Sequence, residues 1–254
     1  TLGSLAAAAG IATVTLTGEG ALDTDTVTVQ AGFTNDLTVN LDNDDNAGNV
    51  VDATNYTKTL TIVANDDELD ESANTLTGGT GTADEIQVSV ANASIAAADL
   101  ASITKFEKVT TVGNATALSF TTHDNFITAS GSMTVDASTM TTAALTYDAS
   151  SETDGAHTIT ALGTGAHIIT LGQGNDTYTS TNTAGINTVV ATGGNNTITT
   201  AAAADIITMG TGNDNITSGA EADLITVTTE SLSTDDTINA GAGTDVLTLS
   251  DDNT

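Results

Sequence analysis

A nine-residue repeat in the last third of this chain constrains its fold more than any other feature. Three clear copies begin at Leu171, Met209 and Ala240, and each has the form x-G-x-G-x-D-x-U-x, where U is a large apolar residue. A short repeat of fixed length is typical of a solenoid, because one repeat cannot bury its apolar face alone and stacked repeats can. The repeat therefore predicts a stack of short strands joined by tight turns.

Weaker copies fill the gaps between the clear ones and keep two positions in phase, which we call the acidic slot and the apolar slot. The acidic slot holds His167, Asp176, Asn187, Asn196, Asp205, Asp214, Asp223, Asp236 and Asp245. The apolar slot, two residues later, holds Ile169, Tyr178, Val189, Ile198, Ile207, Ile216, Ile225, Ile238 and Leu247. Successive slots are nine residues apart except for one insertion after Asp176 and another after Asp223.

The chemistry of the repeat indicates calcium. Glycine lets the backbone turn tightly, so that carbonyl oxygens point into the turn, and aspartate adds a hard, anionic oxygen of the kind Ca²⁺ prefers. A single Gly-Asp turn is ordinary loop chemistry, but nine slots in phase favour a calcium-binding roll over residues 163 to 250. We expect the metal to be held by Asp176, Asn196, Asp205, Asp214, Asp223, Asp236, Asp245, Gly172, Gly174, Gly210, Gly212, Gly241, Gly243 and, from an isolated earlier copy of the repeat, Asp84.

The charge of the chain also favours a cation as the ligand. There are 33 acidic residues against 3 lysines, no arginine, and a formal net charge of −30. Such a charge opposes a compact state through self-repulsion, and bound divalent cations would relieve it. The surface of a halophilic protein is an alternative explanation, but it would not place aspartates at one fixed phase. The absence of arginine argues against nucleic acid as a partner.

Other compositional features narrow the class of protein. Cysteine is absent, so disulfides cannot stabilise an extracellular chain and metal ions could do so. No segment approaches the roughly 18 apolar residues of a membrane span. The histidines are His123, His157 and His167, without a hydrolase motif, so we do not expect an enzyme. His167 lies in an acidic slot and is interpreted as a degenerate repeat position rather than a zinc ligand. The sequence looks like a segment of a longer protein.

The chain before the roll divides into two regions, residues 1–76 and 77–160, with the roll over 161–254. Alternating apolar residues and threonines predict strands near residues 11–17, 26–29, 36–41 and 59–63. Two acidic loops, residues 42–48 and 66–71, are interpreted as solvated turns rather than calcium sites, since the first fails the EF-hand spacing.

The second region begins with the degenerate repeat that contains Asp84. It continues with a predicted short helix over residues 95–101, capped by Ser94, and with the phrase I-x-x-F-E-x-V-x-x-V from Ile103. Strands are expected at residues 117–120, 132–135 and 143–147.

These residues resemble the RTX family of secreted bacterial proteins and, over residues 60 to 250, RTX-bearing surface-layer proteins of Gram-negative bacteria. The resemblance implies an all-β fold, a parallel β-solenoid that ends in a calcium-binding β-roll with two nonapeptides per coil. Like positions would stack 18 residues apart, with His167, Asn187, Asp205, Asp223 and Asp245 in one column and Asp176, Asn196, Asp214 and Asp236 in the other. Calcium would be shared between successive aspartates of a column and would bind weakly where His or Asn replaces Asp.

The resemblance also implies a function. We expect a structural protein, exported by type I secretion, that folds in extracellular calcium and assembles with itself into a surface layer or filament at the cell surface. A cell-surface polysaccharide is a further candidate partner. The alternative is the stalk of an RTX adhesin. An ice-binding roll is disfavoured, because the rank formed by Thr211 and Asn213 is interrupted by Gly193 in one neighbouring coil and Asp235 in the other.

Overall fold

Short strands with threonine on one face and an apolar residue on the other make up most of the structure. A computed structural model describes residues 4–5, 11–17, 24–42, 48–69, 74–89, 94–113, 117–124, 126–127, 131–153 and 155–250. The strands are β1 (Ser4–Leu5), β2 (Thr13–Thr17), β3 (Thr26–Val29), β4 (Leu37–Asp42), β5 (Val50–Asp52), β6 (Leu60–Asn65), β7 (Thr75–Thr77), β8 (Glu85–Ser89), β9 (Ser94–Ile95), β10 (Ile103–Thr104), β11 (Lys108–Val112), β12 (Leu118–Thr121), β13 (Ser132–Ala137), β14 (Leu145–Asp148), β15 (Ala156–Ala161), β16 (Ile168–Thr170), β17 (Thr177–Ser180), β18 (Thr188–Val190), β19 (Thr197–Thr199), β20 (Ile206–Thr208), β21 (Asn215–Thr217), β22 (Leu224–Thr228), β23 (Thr237–Asn239) and β24 (Val246–Ser250).

The strands form three parallel sheets that wind as a solenoid. An 11-stranded sheet runs in the order β2-β4-β6-β8-β11-β13-β15-β17-β19-β21-β23, and we call it the long sheet. It is faced first by a 5-stranded sheet, β1-β3-β5-β7-β10, and then by an 8-stranded sheet, β9-β12-β14-β16-β18-β20-β22-β24, which we call the roll sheet. The predicted all-β parallel solenoid ending in a roll is confirmed, and the long sheet passes through all three regions of the sequence.

The coils become shorter along the chain. Thr61 pairs with Glu85, which is 24 residues later, whereas Thr197 pairs with Asn215, only 18 residues later. The shorter spacing is the two-nonapeptide coil that the repeats predict. Strands 3 to 6 residues long with turns of a few residues are all that such a coil can accommodate.

The core is a ladder of the apolar slots. Tyr178, Ile198 and Ile216 lie in register on the long sheet, and Val189, Ile207 and Ile225 lie in register on the roll sheet. All six are buried. Because side chains alternate across a strand, each apolar slot places its neighbours, mostly threonines, on the outer face.

Two local predictions were wrong. The helix expected over residues 95–101 is replaced by β9 and turns, because the Asp99 carboxylate accepts a hydrogen bond from the N–H of Ala96 and competes with a helical pattern. The second acidic loop is not a solvated turn throughout: it contains a helix, α1 (Asp66–Leu69), and Glu68 is buried. Glu68 and Asn65 form a reciprocal capping box at 2.8 Å in each direction. The first acidic loop lies largely outside the described residues.

In the described part of the chain, no helix is both long and apolar enough to cross a membrane.

Candidate metal centre

Strand pairing places the acidic slots directly above one another in two columns. The first column precedes the strands of the roll sheet, where β18, β20, β22 and β24 lie side by side. The second precedes β17, β19, β21 and β23 of the long sheet. In each case the slot residue ends the turn and enters the strand, so its side chain lies inside the coil beside the backbone of the preceding coil.

In the first column, each carboxylate accepts a hydrogen bond from the slot residue one coil earlier. The N–H of Asn187 donates to Oδ1 of Asp205 at 2.7 Å, and the N–H of Asp205 donates to Oδ1 of Asp223 at 2.8 Å. The N–H of Asp223 donates in turn to Oδ1 of Asp245 at 3.0 Å. The predicted column is therefore present as a hydrogen-bonded ladder.

The second column repeats the pattern. The N–H of Asp176 donates to Oδ1 of Asn196 at 3.0 Å, and the N–H of Asn196 donates to Oδ1 of Asp214 at 2.9 Å. The N–H of Asp214 donates to Oδ1 of Asp236 at 2.7 Å. One oxygen of each slot side chain is thus committed to the protein.

The other oxygen distinguishes the inner aspartates. The Oδ2 atoms of Asp176, Asp205, Asp214 and Asp223 are buried and have no hydrogen-bond donor. A buried anionic oxygen without a partner is costly, and a bound cation would remove that cost. Burial raises the pKa of Asp205 and of Asp214 above the usual aspartate value, in opposition to the hydrogen bonds, and the neighbouring carboxylates Asp223 and Asp236 raise these pKa values further.

Asn196 shows what the second oxygen faces. Its Nδ2 atom donates to the carbonyl oxygens of Gly193 and Gly194 in its own turn, at 3.1 and 3.3 Å. At the equivalent position of the next coil, Asp214 has an oxygen in place of that amide group. An anionic oxygen directed at a turn rich in carbonyl oxygens favours a cation between them, and hard oxygen ligands fit Ca²⁺. Asn196 itself is satisfied by the protein.

No cluster of three or more His, Cys, Asp or Glu side chains suited to a metal occurs among the described residues. An ion in either column must therefore take most of its remaining oxygens from backbone carbonyls or water. That donor set suits Ca²⁺ better than a transition metal, which prefers nitrogen and sulfur.

The turn glycines make this close stacking of coils possible. Gly194, Gly212 and Gly241 have φ of 84°, 120° and 80°, a region that side chains disfavour. A Cβ atom on Gly212 would overlap the carbonyl oxygen of Gly194 in the coil below. The other glycines expected at the site also contact the preceding coil, and they are Gly172, Gly174, Gly210 and Gly243. Glu221, which replaces a turn glycine before Asp223, has a φ of 78°.

The end of each column differs from its middle. Asp236 is only partly buried, and its Oδ2 accepts a hydrogen bond from the N–H of Ser233 at 2.6 Å. Asp245 is also partly buried. The buried oxygens without donors are therefore confined to the slots from Asp176 to Asp223.

Histidine begins both columns. The Nδ1 atom of His167 accepts a hydrogen bond from the N–H of Leu145 at 3.0 Å, so the ring replaces a carboxylate as acceptor. Burial lowers the pKa of His167, which favours this neutral form. The N–H of His157 donates to Oδ1 of Asp176 at 2.7 Å, which makes His157 the first slot of the second column. The sequence analysis missed this role, because the 19-residue separation from Asp176 does not match the repeat.

Asp84 lies in an equivalent place but is satisfied differently. Its Oδ1 accepts from the N–H of Leu60 at 2.7 Å, as the roll aspartates do, and its Oδ2 accepts from the N–H of Gly79 at 2.5 Å. The N–H of Asp84 donates to Glu107 at 2.9 Å, so Glu107 occupies the next slot. Because both oxygens of Asp84 have donors, it needs a cation less than the inner roll aspartates do.

The comparison with protein families agrees with this geometry. The family model of the RTX calcium-binding nonapeptide repeat (4 copies) matches residues 181–216 and 232–253. No curated protein and no solved structure matches the chain. The chain is thus an RTX-repeat protein whose repeats bind Ca²⁺, with a β-solenoid of the structural, extracellular RTX type. Such repeats are typical of proteins exported by type I secretion, and RTX β-rolls are typically non-enzymatic.

Proposed function

We propose that the chain is a building block of an extracellular surface layer or filament, folded by Ca²⁺ and assembled from many copies. The assembly would form outside the cell, where calcium is abundant. In the secreting cell, low calcium would leave the acidic columns uncompensated and the roll unfolded, because the free energy of metal binding contributes to folding.

The observation that supports self-assembly is an apolar stripe on the outer face of the roll sheet. Ile168, Ile206, Leu224 and Val246 lie in one rank, with Thr188 between Ile168 and Ile206. These four apolar side chains are between 37% and 52% exposed. Soluble monomers seldom expose contiguous apolar patches of this kind without a binding role.

The stripe is also the place where two copies can approach each other most easily. Each copy has a net charge of −30, so copies repel at long range unless ions screen or bridge them. The outward residues of β16, β18, β20, β22 and β24 are uncharged: Ile168, Thr170, Thr188, Val190, Ile206, Thr208, Leu224, Thr226, Thr228, Val246, Thr248 and Ser250. A second copy of the chain therefore fits this face better than a charged partner would.

A cell-surface polysaccharide has less support as a partner. All seven aromatic side chains are buried, namely Phe33, Tyr56, Phe106, Phe120, Phe126, Tyr147 and Tyr178. The described surface thus offers no ring on which a sugar could stack.

Light scattering and negative-stain microscopy in millimolar calcium test the proposal. The parent protein should form ordered assemblies that dissolve in chelator and that monovalent salt alone does not restore. Ile206→Lys and Leu224→Lys should prevent assembly, whereas Thr208→Lys and Thr226→Lys, on the same face in the neighbouring rank, should weaken it less. A folded parent protein that stays monomeric in calcium would refute the assembly.

The second candidate is an adhesin stalk, which the uninterrupted long sheet favours. Eleven strands about 4.8 Å apart make a stiff rod roughly 50 Å long. A stalk predicts isolated rods in calcium, and a layer or filament predicts ordered contacts between them.

A further inference from the structure

The outer face of the long sheet over the roll is a regular array of hydroxyl groups. Strands β15, β17, β19, β21 and β23 each present two outward residues, in register with those of the next strand. We call this surface the threonine face. One rank contains Thr158, Thr177, Thr197, Asn215 and Thr237, and the other contains Thr160, Thr179, Thr199, Thr217 and Asn239.

The hydroxyl groups of this face are not engaged by the protein. None of its eight threonine side chains makes a hydrogen bond within the described part of the chain, and all are exposed or partly exposed. Other threonines of the roll behave differently: Thr192 donates to the carbonyl of Gly172 at 2.7 Å, and Thr200 donates to the carbonyl of Ser218 at 2.9 Å. The threonine face therefore directs its hydroxyls to the surroundings.

The spacing of the array is fixed by the backbone. Neighbouring strands lie about 4.8 Å apart, and alternate residues of one strand lie about 6.6 Å apart. Threonine is β-branched and restricted at χ1, so each methyl and hydroxyl has few orientations. The result is a rigid two-dimensional lattice without a charged side chain.

We propose that the threonine face binds ice. A rectangular lattice of hydroxyls and methyls with these two repeats is close to the arrangement of oxygens on the prism faces of ice crystals, so it can order a matching layer of water. Because neither backbone nor side chains must reorganise, the entropic cost of binding is low.

Other ligands fit this face less well. It has no aromatic ring for a sugar and no charge for an ionic partner, and it lacks the exposed isoleucine and leucine side chains of the apolar stripe. The rank of Thr211 and Asn213, which the sequence suggested for ice and which is interrupted, lies in the turns. The continuous ranks lie on the strands, where only the pairing register reveals them.

Thermal hysteresis of the purified chain in saturating calcium tests the proposal, with folding monitored by circular dichroism. Thr179→Tyr and Thr199→Tyr place a bulky side chain in the middle of the array and should remove most of the hysteresis. Tyrosine suits strands, so these variants should fold. Thr170→Tyr and Thr208→Tyr put the same side chain on the opposite sheet and should leave hysteresis unchanged.

The outcomes are distinct. Hysteresis of the wild type that is lost only in the threonine-face variants supports the proposal. A folded wild type without hysteresis overturns it, and so does an equal loss in the roll-sheet variants. Should Thr199→Tyr fail to fold, Thr177→Tyr at the edge of the array replaces it. The proposed assembly uses the other sheet, so Ile206→Lys separates the two: it should abolish assembly and retain hysteresis.

Discussion

Oδ1 of Asp223 accepts a hydrogen bond from the backbone N–H of Asp205, one coil earlier, at 2.8 Å. Oδ2 of the same carboxylate is buried and has no donor. Each inner aspartate is thus half satisfied by the preceding coil and half dependent on something that the protein does not supply. A cation between coils completes this arrangement, and it couples calcium binding to the stacking of one coil on the next.

Calcium should therefore drive folding. We expect the chain to be largely unfolded in calcium-depleted buffer and rich in β-structure in millimolar calcium, because the buried carboxylates repel one another without an ion. Circular dichroism during a calcium titration measures this transition. Identical β-rich spectra with and without calcium would contradict the prediction.

Asp223→Asn should lower the number of calcium ions bound while it preserves the fold. Asparagine keeps the oxygen that accepts from Asp205, and Asn196 shows that the amide group can be satisfied by carbonyls of its own turn. Isothermal titration calorimetry should record fewer bound ions than in the wild type. Glu230→Gln is the matched control, since it removes one exposed charge outside the columns. Equal stoichiometry in wild type and Asp223→Asn would refute the column assignment.

Asn187→Ala should act in a different way. The Asn187 side chain donates to Oδ1 of Asp205 at 2.9 Å and accepts from the Tyr178 hydroxyl at 2.8 Å. Its loss leaves buried polar groups unsatisfied and should reduce the free energy of unfolding by about 1–3 kcal/mol. The calcium stoichiometry should not change, because Asn187 contributes no charge. Thermal unfolding and calorimetry together distinguish this result from that of Asp223→Asn.

The periodic part of the fold could be predicted from the sequence, because apolar slots and strand alternation depend on local spacing. The columns followed from the same period. The role of His157 could not be predicted, because an irregular coil length hides the slot. The turns after Ser94 were mistaken for a helix because the Asp99 side chain decides the local hydrogen bonding. The threonine face required the pairing register, since two insertions of unequal length separate residues that become neighbours.

Acid should partly replace calcium. Burial raises the folded-state pKa of Asp205 and Asp214 above 3.8, so the folded chain binds these protons more tightly than the unfolded chain. Their contribution to stability is fully present below the unfolded pKa and is lost as the pH rises through the raised folded pKa. In calcium-depleted buffer, we expect more β-structure near pH 4.5 than near pH 7, on the order of the usual carboxylate range. The double variant Asp205→Asn/Asp214→Asn should show a smaller dependence on pH by circular dichroism, and an unchanged dependence would contradict the assignment.

Glu221 provides a test of the turn geometry that is independent of charge in the columns. Its φ of 78° lies in the left-handed region, which costs a residue with a side chain about 1–2 kcal/mol. Glu221 is exposed, so its replacement loses little packing. Because glycine also gains entropy in the unfolded chain, Glu221→Gly should raise the free energy of unfolding by about 1 kcal/mol or less, measured by thermal unfolding in saturating calcium.

Ala203 gives the matched control for this substitution. It holds the same position, two residues before an aspartate slot, but among the described non-glycine residues only Lys105 and Glu221 have positive φ. Ala203→Gly therefore relieves no strain and should lower stability by about 0.5–1 kcal/mol through the flexibility of glycine. Gly212→Ala, at a φ of 120° and against the carbonyl of Gly194, should be more destabilising than either. The two glycine substitutions are thus expected to change stability in opposite directions, and a decrease in both would show that the left-handed turn at Glu221 is not strained.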